Sequence, residues 1–159
     1  MSLVELAATL GQLWVGFVLW TLFEYVGHRW LMHGSQGPSF VRIAHARHHR
    51  DPSSLTWRGS FVFGGAFLVA LAGGAALGTL LLGRAVWMVA IGVGLGSIAY
   101  SLSHRYAHSA MFRPSDESGS TWNAHLRHHD RDARTNFGFT TRFWDRVFGT
   151  AADNRPVDT

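Results

Sequence analysis

The sequence predicts an all-α integral membrane bundle of three or four spanning helices with a histidine-rich cap. Three observations carry that prediction. Long uncharged apolar runs recur along the chain. All fourteen basic residues are arginine, and thirteen of them lie in residues 29–58 and 105–155, outside those runs. All ten histidines fall in four tight clusters, His28/His33, His45/His48/His49, His104/His108 and His125/His128/His129, with none left over.

The first run, Leu6 to Val26, is interrupted only by Gln12 and Glu24. It lacks a basic leading segment and a small-residue cleavage site, so it reads as a spanning helix rather than a cleaved signal peptide. The second, Phe61 to Leu82, and the third, Ala85 to Ser103, carry no charge and are long enough to cross a bilayer. They form a hairpin that turns at Gly83-Arg84. Two spans separate His33 from His104, so both halves of the histidine set return to one membrane face. The arginine bias puts that face in the cytoplasm, and its alternation with apolar runs speaks for membrane orientation rather than nucleic acid. Trp20, Trp30, Trp57, Trp87 and Tyr106 fall near the expected helix ends, where aromatic belts sit. Gly64, Gly65, Gly73, Gly74, Gly78, Gly92, Gly94 and Gly96 suit close helix packing in lipid. Residues 111–121 read as a polar loop. Residues 1–150 read as one membrane-embedded domain and 151–159 as a flexible C-terminal tail. With no cysteine, disulfides, thiolate-ligated haem and cysteine-ligated iron–sulfur clusters are excluded.

A histidine at a membrane interface is more often a polar filler than a ligand. Two His-x-Arg-His-His boxes, two further pairs and no spare histidine are a different matter. Residues three and four apart share a helix face, so each box and the His104–His108 pair should converge. His28 and His33 are five apart, which splays them on a regular helix. Either that helix ends or loosens near Gly34, or the two rings address different metals. Neutral imidazole suits iron, zinc, copper and nickel, and ten ligands exceed what one ion takes. Two metals with about five nitrogens each leave about one open position per metal on an octahedral count. The two halves, each a span, a His-Arg-aromatic start and a box, suggest a pseudo-symmetric two-metal site. Glu24, four residues before His28 in an apolar helix, is a functional candidate and is placed to accept the second ring N–H of His28. Asp51, Asp130 and Asp132 read as a solvated face, and Arg47 and Arg127 as headgroup contacts.

These boxes, with the segment Asn136-Phe-Gly-Phe-Thr-Thr-Arg-Phe-Trp-Asp-Arg-Val-Phe-Gly-Thr150, resemble the fatty acid hydroxylase/sterol desaturase superfamily of histidine-ligated, integral-membrane di-iron enzymes. The resemblance runs from about Glu24 to Thr150. It implies that His28, His33, His45, His48, His49, His104, His108, His125, His128 and His129 are all metal ligands. It puts Asn136, Gly138, Trp144 and Asp145 in the surrounding framework, with Asn136 and Asp145 beside Glu24 as outer partners of the ligands. Members usually have four spans where three are found here. The length and first two boxes also look like bacterial carotenoid ring hydroxylases, but the Trp144-Asp145-x-x-Phe148-Gly149-Thr150 ending fits the fatty acid hydroxylase branch better.

What the resemblance implies is oxygen-dependent hydroxylation of an unactivated lipid C–H bond by two iron ions, with zinc able to replace iron in purified material. Electrons would come from a ferredoxin or cytochrome b5-like donor, and the membrane would be a bacterial inner membrane. The alternative within the superfamily is a carotenoid ring hydroxylase. An alternative of another class is a non-oxygenase metal-binding or transport protein. A transporter should hold its ligands near the bilayer midplane, whereas these histidines cluster at span ends and in polar segments.

Overall fold

The computed structural model describes residues 1–52, 57–109 and 120–152, with residues 57–63 described as backbone alone. Helices α1 (Leu3–Val26), α2 (Ser39–Arg50), α3 (Trp57–Leu82), α4 (Ala85–Ala107), α5 (Thr121–Asp130) and α6 (Phe143–Val147) follow one another, and a π-helical stretch, Gly27–Met32, continues α1. The described residues contain no strand. Three helical stretches are long and apolar enough to cross a membrane, Leu3–Met32, Gly64–Leu82 and Ala85–Ala107. Most of the polar loop expected at 111–121 lies outside the described residues. At its end, Ser120 caps α5 by accepting the Asn123 N–H, and Thr121 is already helical. Of the expected tail, residues 153–159 lie outside the described residues.

The chain divides into two compact units, Met1–Leu22 with Leu55–Ser101, and Phe23–Ser54 with Leu102–Thr159. In the first, α1 and α4 meet backbone to backbone. A Cβ on Gly16 would strike the Val89 carbonyl, and one on Gly92 the Leu13 carbonyl, so glycine is what permits this approach. Of the α3 glycines expected to do the same, Gly78 meets a side chain rather than backbone, with a Cβ there 3.3 Å from Val86 Cγ2, and the others do not. Gly64, Gly65, Gly73 and Gly74 have open space where a side chain would stand. Trp20 is not a belt residue either. It is buried, with its ring 5.5 Å from Phe67 and 5.8 Å from Tyr100, and the surface of Gly96 lies against it. Trp30, Trp87 and Tyr106 are exposed, as belt residues should be, while the Trp57 side chain lies outside the described residues. At the hairpin, Gly83 takes φ 73° and its N–H bonds the Thr79 carbonyl, a left-handed residue closing α3.

The second unit gathers the polar elements. Tyr25, fully buried at the end of α1, stacks on Phe148 at 5.2 Å and meets Phe137 edge-on. The unit also holds the π stretch, α2, α5, α6 and an irregular strap, residues 135–142. All ten histidines lie in this unit, in accord with the parity of the spans.

Candidate metal centre

The ten histidines form two groups of five. His28, His33, His45, His49 and His128 make the first cluster; His48, His104, His108, His125 and His129 make the second. Within each, one ring nitrogen per residue lies within 4.8 Å of all the others. The clusters are adjacent, with the His49 ring stacked on that of His129 at 4.0 Å.

Helix geometry explains the division and amends the expectation that each box converges on one point. At about 3.6 residues per turn, neighbouring residues stand ~100° apart. His45 and His49 therefore share a face and enter the first cluster, while His48 leans to the second. On α5 the assignment inverts: His125 and His129 enter the second cluster and His128 crosses to the first. The His104–His108 pair converges as expected on an α-helical turn. His28 and His33 converge too, because the π stretch closes an i to i+5 bond, His33 N–H to His28 O at 3.2 Å, and brings residues five apart onto one face. The helix does end just before Gly34, its π stretch stopping at Met32, and the two rings do not address different clusters.

The spacing of the nitrogens fits a cation. With metal–nitrogen bonds of ~2.1 Å, ligand nitrogens at right angles stand about 3.0 Å apart. In the first cluster the Nε2 atoms of His28 and His45 are 3.1 Å apart, His45 and His33 2.8 Å, His49 and His45 3.0 Å, and His128 and His33 3.0 Å. In the second, those of His108 and His125 are 3.0 Å apart. Both ring nitrogens of His48 and of His129 are buried without a hydrogen-bond partner among the described residues. Buried polar atoms of that kind call for a ligand.

Burial also keeps these rings in the form that binds metal. Desolvation, reinforced by neighbouring imidazoles, pulls His33 down to about 4 and His48 and His128 to about 3. Burial likewise drives His45, His125 and His129 well below the usual imidazole range, and lowers His49 and His108. At neutral pH all of these rings carry a free lone pair rather than a charge.

The strap orients the ligands. Its Phe137 carbonyl accepts the Nδ1–H of His28 at 2.6 Å, and its Thr135 carbonyl accepts the Nδ1–H of His128 at 2.6 Å. Each bond leaves Nε2 unprotonated and facing the first cluster. Phe137 packs against His28, His33 and His128, and Phe139 against His104 and His125, so alternate strap residues wall the two clusters. Glu24 is buried close by, but its partner is not His28. Its carboxylate accepts the Thr140 N–H at 2.9 Å, the Phe139 N–H and the Thr140 hydroxyl, pinning the far end of the strap. Asp145 pins the near end: Oδ1 accepts the Phe137 N–H at 2.8 Å and the Thr150 hydroxyl at 2.8 Å, and Oδ2 the Gly138 N–H at 2.9 Å. Since Thr150 gives its proton to Asp145, Tyr25 donates to Thr150 Oγ1 at 2.9 Å and itself accepts from Arg29 at 2.8 Å. Asn136 makes the turn between the two accepting carbonyls. Neither carboxylate joins a cluster. The sequence alone assigned no role to Thr135 or Tyr25, and it marked Phe137, Thr140 and Thr150 only as part of the Asn136–Thr150 segment. Asp132, expected on a solvated face, pairs with exposed Arg134 at 3.1 Å.

A family model described as fatty acid hydroxylase matches residues 13–150. The human fatty acid 2-hydroxylase is 29% identical over 160 residues, covering 92% of this chain and 41% of that protein. The Arabidopsis thaliana dihydroceramide fatty acyl 2-hydroxylase FAH1 is 29% identical, covering 86% and 58%. The Schizosaccharomyces pombe ceramide very long chain fatty acid hydroxylase scs7 is 32% identical, covering 86% and 41%. The chain thus spans 41% to 58% of the length of these relatives. A solved structure described as full-length scs7p, with only its hydroxylase domain visible, superposes with a TM-score of 0.72 at 27% identity, covering 98% of this chain and 60% of that one.

Proposed function

We propose that this chain, which belongs to the fatty acid hydroxylase family, hydroxylates a lipid acyl chain at a site built on two iron ions held by its ten histidines. The observation that carries the reading is the pair of adjacent five-imidazole clusters. The overall reaction would convert a C–H bond, O2, two electrons and two protons into C–OH and water. When bound, the two irons supply the activation of O2 and the removal of hydrogen from carbon. Zinc, which outranks iron in affinity for such ligands, can take the site in purified material.

The chain's own residues hold and shield that chemistry. Donation from His28 and His128 to strap carbonyls fixes their tautomers, and burial keeps the His128 ring neutral. Phe137 and Phe139 keep water from the rings they cover. The names of the relatives support a fatty acyl substrate and carbon 2 as the position attacked. We place the site at the cytoplasmic face of a bacterial inner membrane, on the arginine bias, with the lipid entering from the bilayer. A ferredoxin or cytochrome b5-like protein would deliver the electrons. Residues 1–150 would act as one membrane-embedded domain, onto which Ala151 and Ala152 are hydrogen-bonded.

The test is high-resolution mass spectrometry of lipids from cells expressing the chain, with and without O2, beside a His128→Ala/His129→Ala control. An added oxygen on one lipid class, lost without O2 and in the control, is expected. Carotenoid hydroxylation in a pigment-making host, with acyl chains unchanged, would move the assignment to the ring hydroxylases. Unchanged lipids and pigments, with iron and a donor confirmed, would leave a metal protein that is not an oxygenase.

A further inference from the structure

One peptide unit in the strap is held from both sides. The carbonyl of Phe137 accepts the Nδ1–H of His28, and the N–H of the same peptide, on Gly138, donates to Asp145 Oδ2. Carboxylate, peptide and imidazole thus stand in line, and Nε2 of His28 faces the first cluster. In many metal sites a carboxylate accepts the ligand N–H directly and makes the imidazole a better donor. Here the same polarisation passes through an amide. An anion at the N–H end of a peptide makes its carbonyl a stronger acceptor, because hydrogen bonds in a chain reinforce one another. The next peptide but one, 135–136, repeats the theme for His128: the Thr135 carbonyl takes its Nδ1–H, and the Asn136 N–H goes to the Thr150 carbonyl. Thr150 is tied to Asp145 by its hydroxyl and by its N–H, the latter at 2.7 Å to the Asp145 carbonyl. Both anchored ligands belong to the first cluster.

We propose that Asp145 is a positioning residue for the first cluster alone, acting on His28 through the 137–138 peptide and on His128 through Thr150. The proposal rests on the reading of the clusters as metal sites. It requires both carboxylate oxygens. Phe137 N–H and Gly138 N–H take one each, whereas an asparagine offers one acceptor and turns an N–H against the other amide. The space around Gly138 enforces the contact, since a Cβ there would lie 2.8 Å from Asp145 Oδ2.

The test is titration of the metal-free, detergent-purified full chain with cobalt(II), followed by its visible absorption bands. His33→Ala and His104→Ala mark which step belongs to which cluster. Wild type should show two steps. Asp145→Asn should weaken the first-cluster step about 10- to 100-fold, the usual penalty for losing an outer partner of a ligand, and shift its bands, leaving the second step in place. Both steps unchanged, or both weakened together in a folded protein, would overturn the proposal. Where Asp145→Asn does not fold, Thr150→Val decides: a selective weakening of the first step supports the proposal, and no change or a uniform one overturns it. A wild type without histidine-dependent cobalt steps would overturn the metal reading itself, and the proposal with it.

Discussion

Asn136 sits at φ 56°, the left-handed region, with its side chain buried. Its position between Thr135 and Phe137 gives the conformation its purpose: the turn aims the carbonyls on either side of its own at two different imidazoles. Asparagine tolerates this region better than other residues with a Cβ, and its Oδ1 also accepts the Ala152 N–H at 3.1 Å. Asn136→Ala should cost about 1–2 kcal/mol from the backbone alone, plus the lost hydrogen bond, while Asn136→Gly keeps the turn and loses only the bond. Thermal unfolding in detergent checks this; equal losses for both variants would show that the backbone conformation is not what matters. At this scale the sequence is legible where function resides in side chains. Ten imidazoles in repeated spacing announce themselves. The acceptors that orient them are main-chain carbonyls, and no residue letter marks a carbonyl. Glu24 shows the halfway case: a carboxylate in an apolar helix was a sound signal, but its partners are amides more than a hundred positions away in the chain.

At the scale of elements, the π stretch reconciles two pairs of unequal spacing. A π turn is an α-helix with one residue added, frequently seen at functional sites. His28 and His33, five apart, thereby do what His104 and His108 do four apart. Deleting Leu31, which is 42% exposed, should return the pair to α-helical spacing with both metals still bound. Deleting Tyr106 from α4, where no added residue exists to lose, should abolish metal binding at the second cluster. Metal content per folded chain distinguishes the two, and loss of metal from both deletions would contradict the reading of the π stretch as a spacer. The five-residue interval was visible in the sequence and correctly marked a departure from the α-helix. Its sense was not visible, because a kink, a helix end and a π turn all disturb the period alike. The boxes were legible as helix faces, but residues three and four along straddle such a face, and two targets lie close enough for each side to have its own.

For the molecule as a whole, three spans and the return of both histidine groups to one unit followed from apolar length and parity alone. Helix contacts did not. Glycine content pointed to α3 and α4 together, yet the close approach joins α1 and α4, through Gly16 and Gly92. Composition reports that small residues are present, not which neighbour they admit. Gly92→Ala should therefore destabilise the first unit by about 1–3 kcal/mol, as overpacking does. Gly73→Ala, with open space for its methyl group, should be neutral or stabilise by up to about 1 kcal/mol through helix propensity. Unfolding midpoints of the two variants in detergent decide it, and a Gly92→Ala protein as stable as wild type would contradict the close crossing.

His48 and His128 exchange places between the clusters, and this has a topological meaning. Each stretch of chain completes four-fifths of its own set and lends one ring to the other. Loaded with the proposed ions, residues as far apart as His33 and His128 become cross-linked, and twice over. Clips that close long loops remove the most freedom from an unfolded chain. A sequence with no cysteine to oxidise thus has a pair of removable staples in imidazole, and a chelator would act on it as a reductant acts on a disulfide protein.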